Sequence, residues 1–391
     1  MRNNVPHEDM RNIRQRMKWM MIAAVLGLMP GIASQAAAKP LKVFILAGQS
    51  NMQGNVDVST FDSMTGDSKT APILKEMLDA SGKPRVCEKV WISAICRAYE
   101  DTTEYTGRLT TGFGASTHQI GPEFTFGIYM EKALNEPILI IKTAWGGKSL
   151  ITHFRPPSAG KRVFNDFIKE QWKNRFKLDV EDESAKNNEL CFVTYRLMIG
   201  HVRKVLADVG RVVPEYDPKQ GYELAGFVWF QGFNDMVDDW SYRDREQPGG
   251  YAEYGQLLAM FIRDVRKDLN APKLPFVIGV MGIDGMKDVK PSMANFRLAM
   301  AAPAALPEFK GNVVAVQTAP FWDDDLGALQ ARTEKGEKLT AEEQQRLKAG
   351  VSNKAYHYLG AAKIMAPIGK SFADAMVDLQ RTQAQKKPGK P

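Results

Sequence analysis

The sequence predicts an α/β three-layer sandwich, in which helices cover both faces of a parallel sheet. Five short runs are apolar almost throughout, as is typical of strands buried on both faces: Leu41–Ala47, Ile138–Lys142, Gly226–Phe230, Pro275–Met281 and Asn312–Val316. Helix-like segments alternate with these runs, namely Pro122–Leu134, Cys191–Val209, Tyr251–Leu269 and Tyr358–Leu379. Alternation of strands and helices is the pattern of βαβ units, and it indicates a parallel sheet.

The composition is that of a globular protein, and the charge is placed at its ends. The 391 residues are 44% hydrophobic and 25% charged, with a net charge of +7. Residues 1–38 hold five cations and two anions, and the residues after Gln380 hold four cations and no acid. The body between them is therefore close to neutral. A nucleic-acid binder needs a basic stripe on the fold itself, so this distribution argues against a nucleic-acid partner.

Residues 1–38 have the pattern of a Sec-type signal peptide. A net positive segment precedes a 15-residue, mostly apolar run, Trp19–Ala33, and small residues for cleavage follow at Ala36–Ala38. The apolar run is shorter than the about 20 residues of a membrane-spanning helix. An uncleaved signal anchor is the alternative. We expect an exported protein, periplasmic or extracellular, with no membrane contact after cleavage.

The body of the chain is expected to form one domain over residues 39–380, because no internal repeat or Gly/Ser linker interrupts it. Two charged segments, near 155–190 and 323–350, have the character of insertions. They either decorate the surface or border a substrate groove. Residues 381–391 are expected to form a disordered basic tail.

Three cysteines are too few for a disulfide scaffold, and none has the spacing of a metal-binding knuckle. Cys87 and Cys96 flank a strand-like segment, and in an exported protein they either pair across a bend or remain thiols. Cys191 is expected to be a buried thiol. We predict no metal and no other cofactor.

The first predicted strand ends in the tight turn Gly48–Met52, which carries Ser50. In an open parallel sheet, ligands bind beyond the carboxyl ends of the strands. A serine at such a turn has backbone N–H groups and a helix dipole near its hydroxyl, and these can hold an oxyanion. An ordinary N-cap serine is the alternative. The complete string GQSNM favours a nucleophile.

GQSNM resembles the nucleophile block of the SGNH hydrolases, in the branch of sialate O-acetylesterase-like and acetylxylan-esterase-like carbohydrate esterases. Four further segments resemble blocks of that family in the same order: Gly121–Glu123 with Phe126–Gly127, Trp145–Ser149, Trp229–Gly232 and the region of His357. The resemblance extends from residue 41 to about residue 376. It implies a flavodoxin-like fold with a five-stranded parallel sheet, and serine esterase chemistry on O-acetylated carbohydrates.

The same resemblance implies a role for each matching residue. Ser50 is the expected nucleophile and His357 the expected base. The oxyanion hole is expected to consist of the Ser50 and Gly121 backbone N–H groups and the Gln231 side chain. The residues expected to contact the substrate are Asn51, Trp145, Lys148 and Asn234.

The histidines narrow the choice of base, because a serine nucleophile needs one and the chain has five. His7 lies in the signal segment, and His201 lies in an apolar-faced helix, where a structural role is expected. His118 and His153 lie in loops near strand ends. His357 opens a helix after the fifth predicted strand, which returns it to the active edge of the sheet. We predict His357 as the base, with His118 as second choice.

The triad acid is where the sequence departs from the family. Many members have an acid three residues before the histidine, where this chain has Lys354, and others have Glu directly after the W-x-Q-G block, where it has Phe233. The remaining candidates for orienting the imidazole are Asp235, Asn353 as a neutral amide, and Asp323–Asp325. We predict Asp235.

Two other functions stay open at this stage. One is a catalytically weak glycan-binding protein of the same fold, because both usual acids are missing. A ring of His357 with no acid or amide partner would favour it. The other is a lipase-like esterase, which the polar loop Gly146–Ser149 disfavours. That loop also fails as a phosphate-binding motif, since the Walker pattern would need glycine where Lys142 stands.

Several cations and tryptophans have two interpretations each. Lys142, Lys148 and Arg155 are either contacts for an anionic sugar or ordinary surface cations. Trp145, Trp229 and Trp240 either stack on sugar rings or pack in the core.

Overall fold

The computed structural model describes residue 1, residues 39–97 and residues 102–385 of the chain. The chain divides into two units, residues 1–39 and 40–391, and the fold below is that of the second unit. The predicted signal peptide lies outside the described residues, as do residues 386–391 of the predicted tail.

Nine strands are present in the described part of the chain. They are β1 (Leu41–Gly48), β2 (Val56–Asp57), β3 (Val90–Ile95), β4 (Tyr105–Arg108), β5 (Gln119–Ile120), β6 (Ile138–Ala144), β7 (Tyr222–Phe230), β8 (Phe276–Val280) and β9 (Val313–Gln317). Seven of them form one sheet in the order β4-β3-β6-β1-β7-β8-β9. All neighbours in this sheet are parallel except β4, which pairs antiparallel with β3 at one edge. β2 and β5 form a small antiparallel pair.

The five predicted strands are β1, β6, β7, β8 and β9, and they lie in the sheet in the order second, first, third, fourth, fifth. This is the flavodoxin-like order, so the α/β class is confirmed. The count of five strands was wrong, because β3 and β4 extend the sheet beyond β6. The segment of β3 looks strand-like in the sequence but was not counted among the predicted strands of the sheet. The four residues of β4 contain no apolar run, so the sequence does not indicate an edge strand there.

The helices of the described chain are α1 (Ser50–Gln53), α2 (Ala71–Met77), α3 (Glu123–Leu134), α4 (Asp166–Glu170), α5 (Val180–Glu189), α6 (Val193–Ala207), α7 (Phe233–Met236), α8 (Ala252–Asp268), α9 (Pro291–Ala301), α10 (Asp324–Glu334), α11 (Ala341–Gly350) and α12 (Ala362–Gln385). Three of the four predicted helices correspond to α3, α6 and α8 within two residues at each end. The fourth corresponds to α12, which begins four residues later than predicted because a short turn carries His357.

Two successive residues of β7 show the three layers. The ring of Trp229 packs on Phe261 of α8 with centroids 4.4 Å apart, whereas the ring of Phe230 packs on Phe372 of α12 at 5.3 Å. Because successive side chains of a strand point to opposite faces, α8 and α12 must cover opposite faces of the sheet. The apolar runs of the central strands are therefore buried from both sides.

The first predicted insertion forms α4, a π-helical turn and α5, around a small apolar cluster of its own: Phe164, Ile168 and Trp172. Its Asn165 side chain donates to the Trp240 carbonyl at 2.8 Å, in the loop after β7. The insertion thus packs beside the carboxyl edge of the sheet, and substrate contact there stays a prediction. The second insertion forms α10 and α11, and α11 begins with a capping box.

Three smaller expectations can be compared with the structure. All three cysteines are buried free thiols, so the possible Cys87–Cys96 bond is not formed, and burial raises the pKa of Cys87 to about 12. Residues 381–385 continue α12, so the predicted disordered tail began five residues too early. Within the described ranges, no helix has the length and apolar character needed to cross a membrane.

Candidate active site

Ser50 is the first residue of α1, directly beyond the carboxyl end of β1. The turn depends on glycine at Gly48, because a Cβ there would lie 2.2 Å from the Phe230 carbonyl oxygen. The turn closes at Gly54, where φ is 93° and the N–H donates to the Ser50 carbonyl at 2.9 Å. Ser50 itself is 9% exposed. The structure therefore places this serine where the sequence predicted it, at the ligand-binding edge of the sheet.

Two other segments approach the Ser50 turn. Gly146, in the loop after β6, lies so close that a Cβ on it would be 3.8 Å from Ser50 Cβ. On another side, Asn51 Nδ2 donates to the Tyr356 carbonyl at 3.2 Å. That bond ties the turn to the segment that carries His357. Asn51 is 6% exposed, and its Oδ1 has no donor among the described residues.

His357 lies on the 3₁₀ turn Ala355–Gly360, which precedes α12. Tyr358 and Leu359 have positive φ values of 53° and 62°, which is uncommon for residues other than glycine. The turn is held by its neighbours, because the Tyr358 hydroxyl accepts the Gly282 N–H at 2.8 Å from the end of β8. A strained turn persists only where such contacts over-determine it. His357 is consequently held in a defined position.

The ring of His357 has an amide partner. Its Nδ1 lies 2.9 Å from Asn353 Oδ1, and the Lys354 backbone N–H donates to the same oxygen at 2.8 Å. Because a backbone N–H can only donate, the atom between them is the amide oxygen. His357 Nδ1 must then carry a proton, which leaves Nε2 free to accept one. Burial lowers the pKa of His357 to about 4, so the ring is neutral at neutral pH.

Asp235 does not take the predicted position beside His357. It is fully buried, and it accepts the backbone N–H groups of Leu150 and Ile151 at 2.8 and 2.9 Å. Gln231 Nε2 donates to it at 2.6 Å. Burial raises the pKa of Asp235 to about 6. This corrects the predicted triad acid, since both carboxylate oxygens hold the loop after β6.

The acidic run that was the third candidate also points elsewhere. Asp323 forms an ion pair with Lys363 at 3.0 Å and accepts a backbone N–H of α10. Asp324 pairs with Lys287 at 2.7 Å. Of the three candidates, only Asn353 is bonded to the imidazole.

Two of the three predicted oxyanion donors are already used. Gln231 Nε2 faces three acceptors, the oxygens of Asp235, Gln49 and Lys148, within 3.1 Å, and an amide nitrogen has only two hydrogens. The Gly121 N–H donates to Glu123 Oε1 at 2.9 Å. Neither group is free to bind a substrate oxygen in this structure, which corrects both predictions.

Asn234 has a free donor instead. Its Oδ1 accepts Gln49 Nε2 at 2.8 Å, and no acceptor for its Nδ2 is found among the described residues. The half-buried side chain is therefore fixed with its NH₂ group unused. From the sequence, Asn234 was predicted only as a substrate contact. Nothing in the sequence shows that Gln49 orients the amide of Asn234.

Lys142 is neither a surface cation nor a substrate contact. It is completely buried, and its Nζ donates to Glu123 at 2.6 Å and to the carbonyls of Gln53 and Phe113 at 2.9 and 2.7 Å. Lys142 thus joins the end of the Ser50 turn, through the Gln53 carbonyl, to the start of α3, through Glu123. Sequence reasoning missed it, because the lysine appears only as the last residue of an apolar run.

The other predicted contacts are mostly buried as well. Lys148 and Arg155 are 2% and 6% exposed, and Arg155 donates to carbonyls of its own loop. Trp145 and Trp229 are completely buried and pack around Phe154. The predicted substrate roles of Trp145 and Lys148 are therefore corrected: both are enclosed by the protein. Trp240 is half-buried between Phe167 and Phe176.

The remaining described histidines have other surroundings. His118 is largely exposed and lies 3.4 Å from an Asp57 oxygen. His201 is buried, lies 3.0 Å from Ser93 Oγ, and has its pKa lowered to about 4 by burial. This agrees with the structural role expected for His201. His153 Nδ1 accepts the Ser149 N–H at 3.2 Å.

No cluster of three or more His, Cys, Asp or Glu side chains in the described ranges is arranged to hold a metal ion. The absence of a cofactor stays a prediction.

The geometry defines an α/β protein with a buried serine turn and an oriented histidine segment at the carboxyl edge of its sheet. The chain belongs to the family described as "Carbohydrate esterase, sialic acid-specific acetylesterase", whose model matches residues 40–180 and 194–332, more than half of the chain. The match includes Ser50 and Asn234. It ends before Asn353 and His357, so their roles must be argued from the structure.

Comparison with solved structures finds looser likenesses, among them the following two. A protein of Arabidopsis thaliana is 18% identical, with a TM-score of 0.40, and the match covers 86% of this chain and 98% of that one. A carbohydrate acetylesterase of Xanthomonas citri is 16% identical, with a TM-score of 0.39, and the match covers 76% of this chain and 57% of that one. No curated protein matches the chain.

Proposed function

We propose that this member of the carbohydrate esterase family is an active serine esterase that removes acetyl groups from sugar hydroxyls. Ser50 is the nucleophile and His357 the general base. The observation that carries the proposal is the pair of hydrogen bonds on Asn353 Oδ1, from Lys354 N–H and His357 Nδ1. They leave Nε2 as the acceptor that a serine nucleophile requires.

The reaction is a two-step acyl transfer. Nε2 of His357 takes the hydroxyl proton as Ser50 Oγ bonds to the acetyl carbon. The carbon–oxygen bond to the sugar then breaks, and the imidazolium gives its proton to the departing sugar oxygen. Water attacks the acetyl-enzyme by the same route, and it releases acetate and restores Ser50.

The oxyanion hole in this proposal differs from the one that the sequence predicted. The Ser50 backbone N–H lies in the first turn of α1, where N–H groups have no acceptor within the helix. Asn234 Nδ2 supplies the second donor, because Gln49 holds the amide oxygen of Asn234 on its other side. A preorganised donor of this kind typically contributes about 10²–10³ in kcat.

A neutral amide orients an imidazole but stabilises the imidazolium less than a carboxylate does. The proposal is therefore of an active enzyme with a modest kcat. The second candidate, a glycan-binding protein with weak activity, is less well supported, because Asn353 gives the His357 ring the amide partner whose absence would have favoured it. Export is part of the first proposal, and it is supported by the charge and apolar pattern of residues 1–38.

The test is acetate release by the purified full-length chain from O-acetylated sialic acid and acetylated xylan, beside Ser50→Ala. We expect Ser50→Ala to lower release about 10³-fold or more, and the exposed-serine control Ser81→Ala to leave it unchanged. No release from either substrate by the folded wild-type chain would favour the glycan-binding candidate. Release that survives Ser50→Ala would refute Ser50 as nucleophile.

A further inference from the structure

Three rings form a row, those of His357, Tyr356 and Phe233, and Tyr356 is the middle one. The Tyr356 ring meets the His357 ring edge-on, with centroids 4.5 Å apart at 74°. On its other side it packs on Phe233, with centroids 5.4 Å apart at 34°. Phe233 stands directly after the W-x-Q-G block Trp229–Gly232.

Tyr356 is 42% exposed although it lies on the hydrogen-bonded turn that carries His357. Its carbonyl accepts Asn51 Nδ2, and the next N–H, that of His357, donates to the Lys354 carbonyl at 2.9 Å. A large ring that is fixed in place and left partly in water is ready to pack on a ligand. Little conformational entropy would be lost when it does.

The proton transfer in the reaction indicates which part of the substrate the Tyr356 ring contacts. After the acetyl group has moved to Ser50, the proton on His357 must pass to the departing sugar oxygen. The sugar therefore has to lie next to the imidazole. Tyr356 packs on that imidazole, so a sugar next to the imidazole lies within reach of the Tyr356 ring. The C–H face of a pyranose is apolar, and it packs well on an aromatic face.

We propose that Tyr356, supported from behind by Phe233, is the subsite that holds the pyranose ring of the departing sugar. This inference rests on the proposed function, and it adds to it the requirement for a cyclic alcohol. Tyr356 thus determines specificity, whereas Ser50 and His357 perform the reaction.

The first experiment compares two acetate esters that differ in the alcohol. One is a mono-O-acetylated methyl pyranoside, and the other is ethyl acetate, whose alcohol has no ring. We expect Tyr356→Ala to lower the ratio of the two kcat/KM values, pyranoside over ethyl acetate, about two- to tenfold. Tyr356→Phe keeps the ring and should keep the ratio. An equal loss on both esters would overturn the proposal, because it would show that the ring only supports His357.

A matched control is available at the other end of the sheet. Tyr222 is also 42% exposed, but it lies at the start of β7, away from the carboxyl edge. Tyr222→Ala should leave the ratio unchanged. A ratio that falls as much in this variant as in Tyr356→Ala would also overturn the proposal.

A binding measurement separates this inference from the proposed function. In a Ser50→Ala background, NMR titration with the same acetylated pyranoside should give a Kd that Tyr356→Ala raises about two- to tenfold. A raised Kd with no esterase activity in the wild type would refute the proposed function and leave the subsite supported. Activity with an unchanged Kd would refute the subsite. A wild type that neither binds nor hydrolyses the pyranoside would refute both.

Discussion

Two segments at the carboxyl edge of the sheet carry a carboxylate and an imidazole, the two groups that pair in a usual catalytic triad. The loop after β7, residues 231–236, holds a buried carboxylate, Asp235, that is bonded to two backbone N–H groups and an amide. The turn before α12, residues 352–360, holds His357, which is bonded to the amide of Asn353. In a usual triad the carboxylate and the imidazole face each other. Here each has a different partner.

The difference shows what each group does for the protein. A carboxylate that accepts two buried backbone N–H groups satisfies donors that would otherwise be lost from water, so it stabilises the loop after β6. An imidazole beside a neutral amide is oriented, but no carboxylate raises its pKa, and burial lowers it to about 4. Asp235 is therefore a structural support, whereas His357 is the reacting group in the proposed mechanism.

The largest effect is expected for His357→Gln, which tests the different roles of His357 and Asp235. Loss of the general base should lower kcat about 10²–10⁴-fold. The free energy of unfolding should change by no more than about 1 kcal/mol, because one neutral hydrogen bond is removed. Steady-state kinetics and urea denaturation measure the two quantities, with the exposed His118→Gln as control. A small loss of kcat would mean that another group is the base.

Asp235→Ala should lower the stability of the protein, whereas His357→Gln lowers kcat. It leaves the N–H groups of Leu150 and Ile151 buried without an acceptor, at a cost of about 1–3 kcal/mol each. We expect the free energy of unfolding in urea to fall by about 3 kcal/mol or more. Asp239→Ala, at an exposed position just beyond the loop that carries Asp235, is the matched control. Unchanged stability together with a loss of kcat as large as that of His357→Gln would return Asp235 to the catalytic machinery.

The smallest expected effect is a shift of the pH profile. In the proposed mechanism neutral His357 is the active form, so kcat/KM should rise with pH through about 4 and stay level above it. In Asn353→Asp the new carboxylate favours the imidazolium. The pKa of His357 should then rise by about one unit or more, and the acidic limb should move to higher pH.

The control for this shift is Asn270→Asp, in an exposed left-handed turn after α8. It introduces the same charge away from His357 and should leave the limb in place. Identical profiles for the wild type and Asn353→Asp would show that Asn353 does not contact the imidazole during the reaction.

The central strands could be predicted because burial on both faces requires continuous apolar runs, and β1 and β7 are such runs. β4 could not, because its four residues lie at an edge where no such pattern is needed. Ser50 was predictable for the same kind of reason, since a turn after a strand is a local feature. The groups that contact this turn come from distant segments, such as Tyr356, which is 305 residues from Asn51. Their contacts depend on how loops fold over the sheet.

Asp235 and Lys142 show most clearly what could not be predicted from the sequence. An aspartate after a strand and a lysine at the end of an apolar run look like candidates for chemistry, but both are completely buried and bind backbone groups. The amino-acid sequence alone determined the five central parallel strands and the turn that carries Ser50, because strand burial and turn chemistry are local. Only the tertiary structure decided that Asn353 meets the imidazole, because hydrogen-bond partners depend on where distant side chains come to lie.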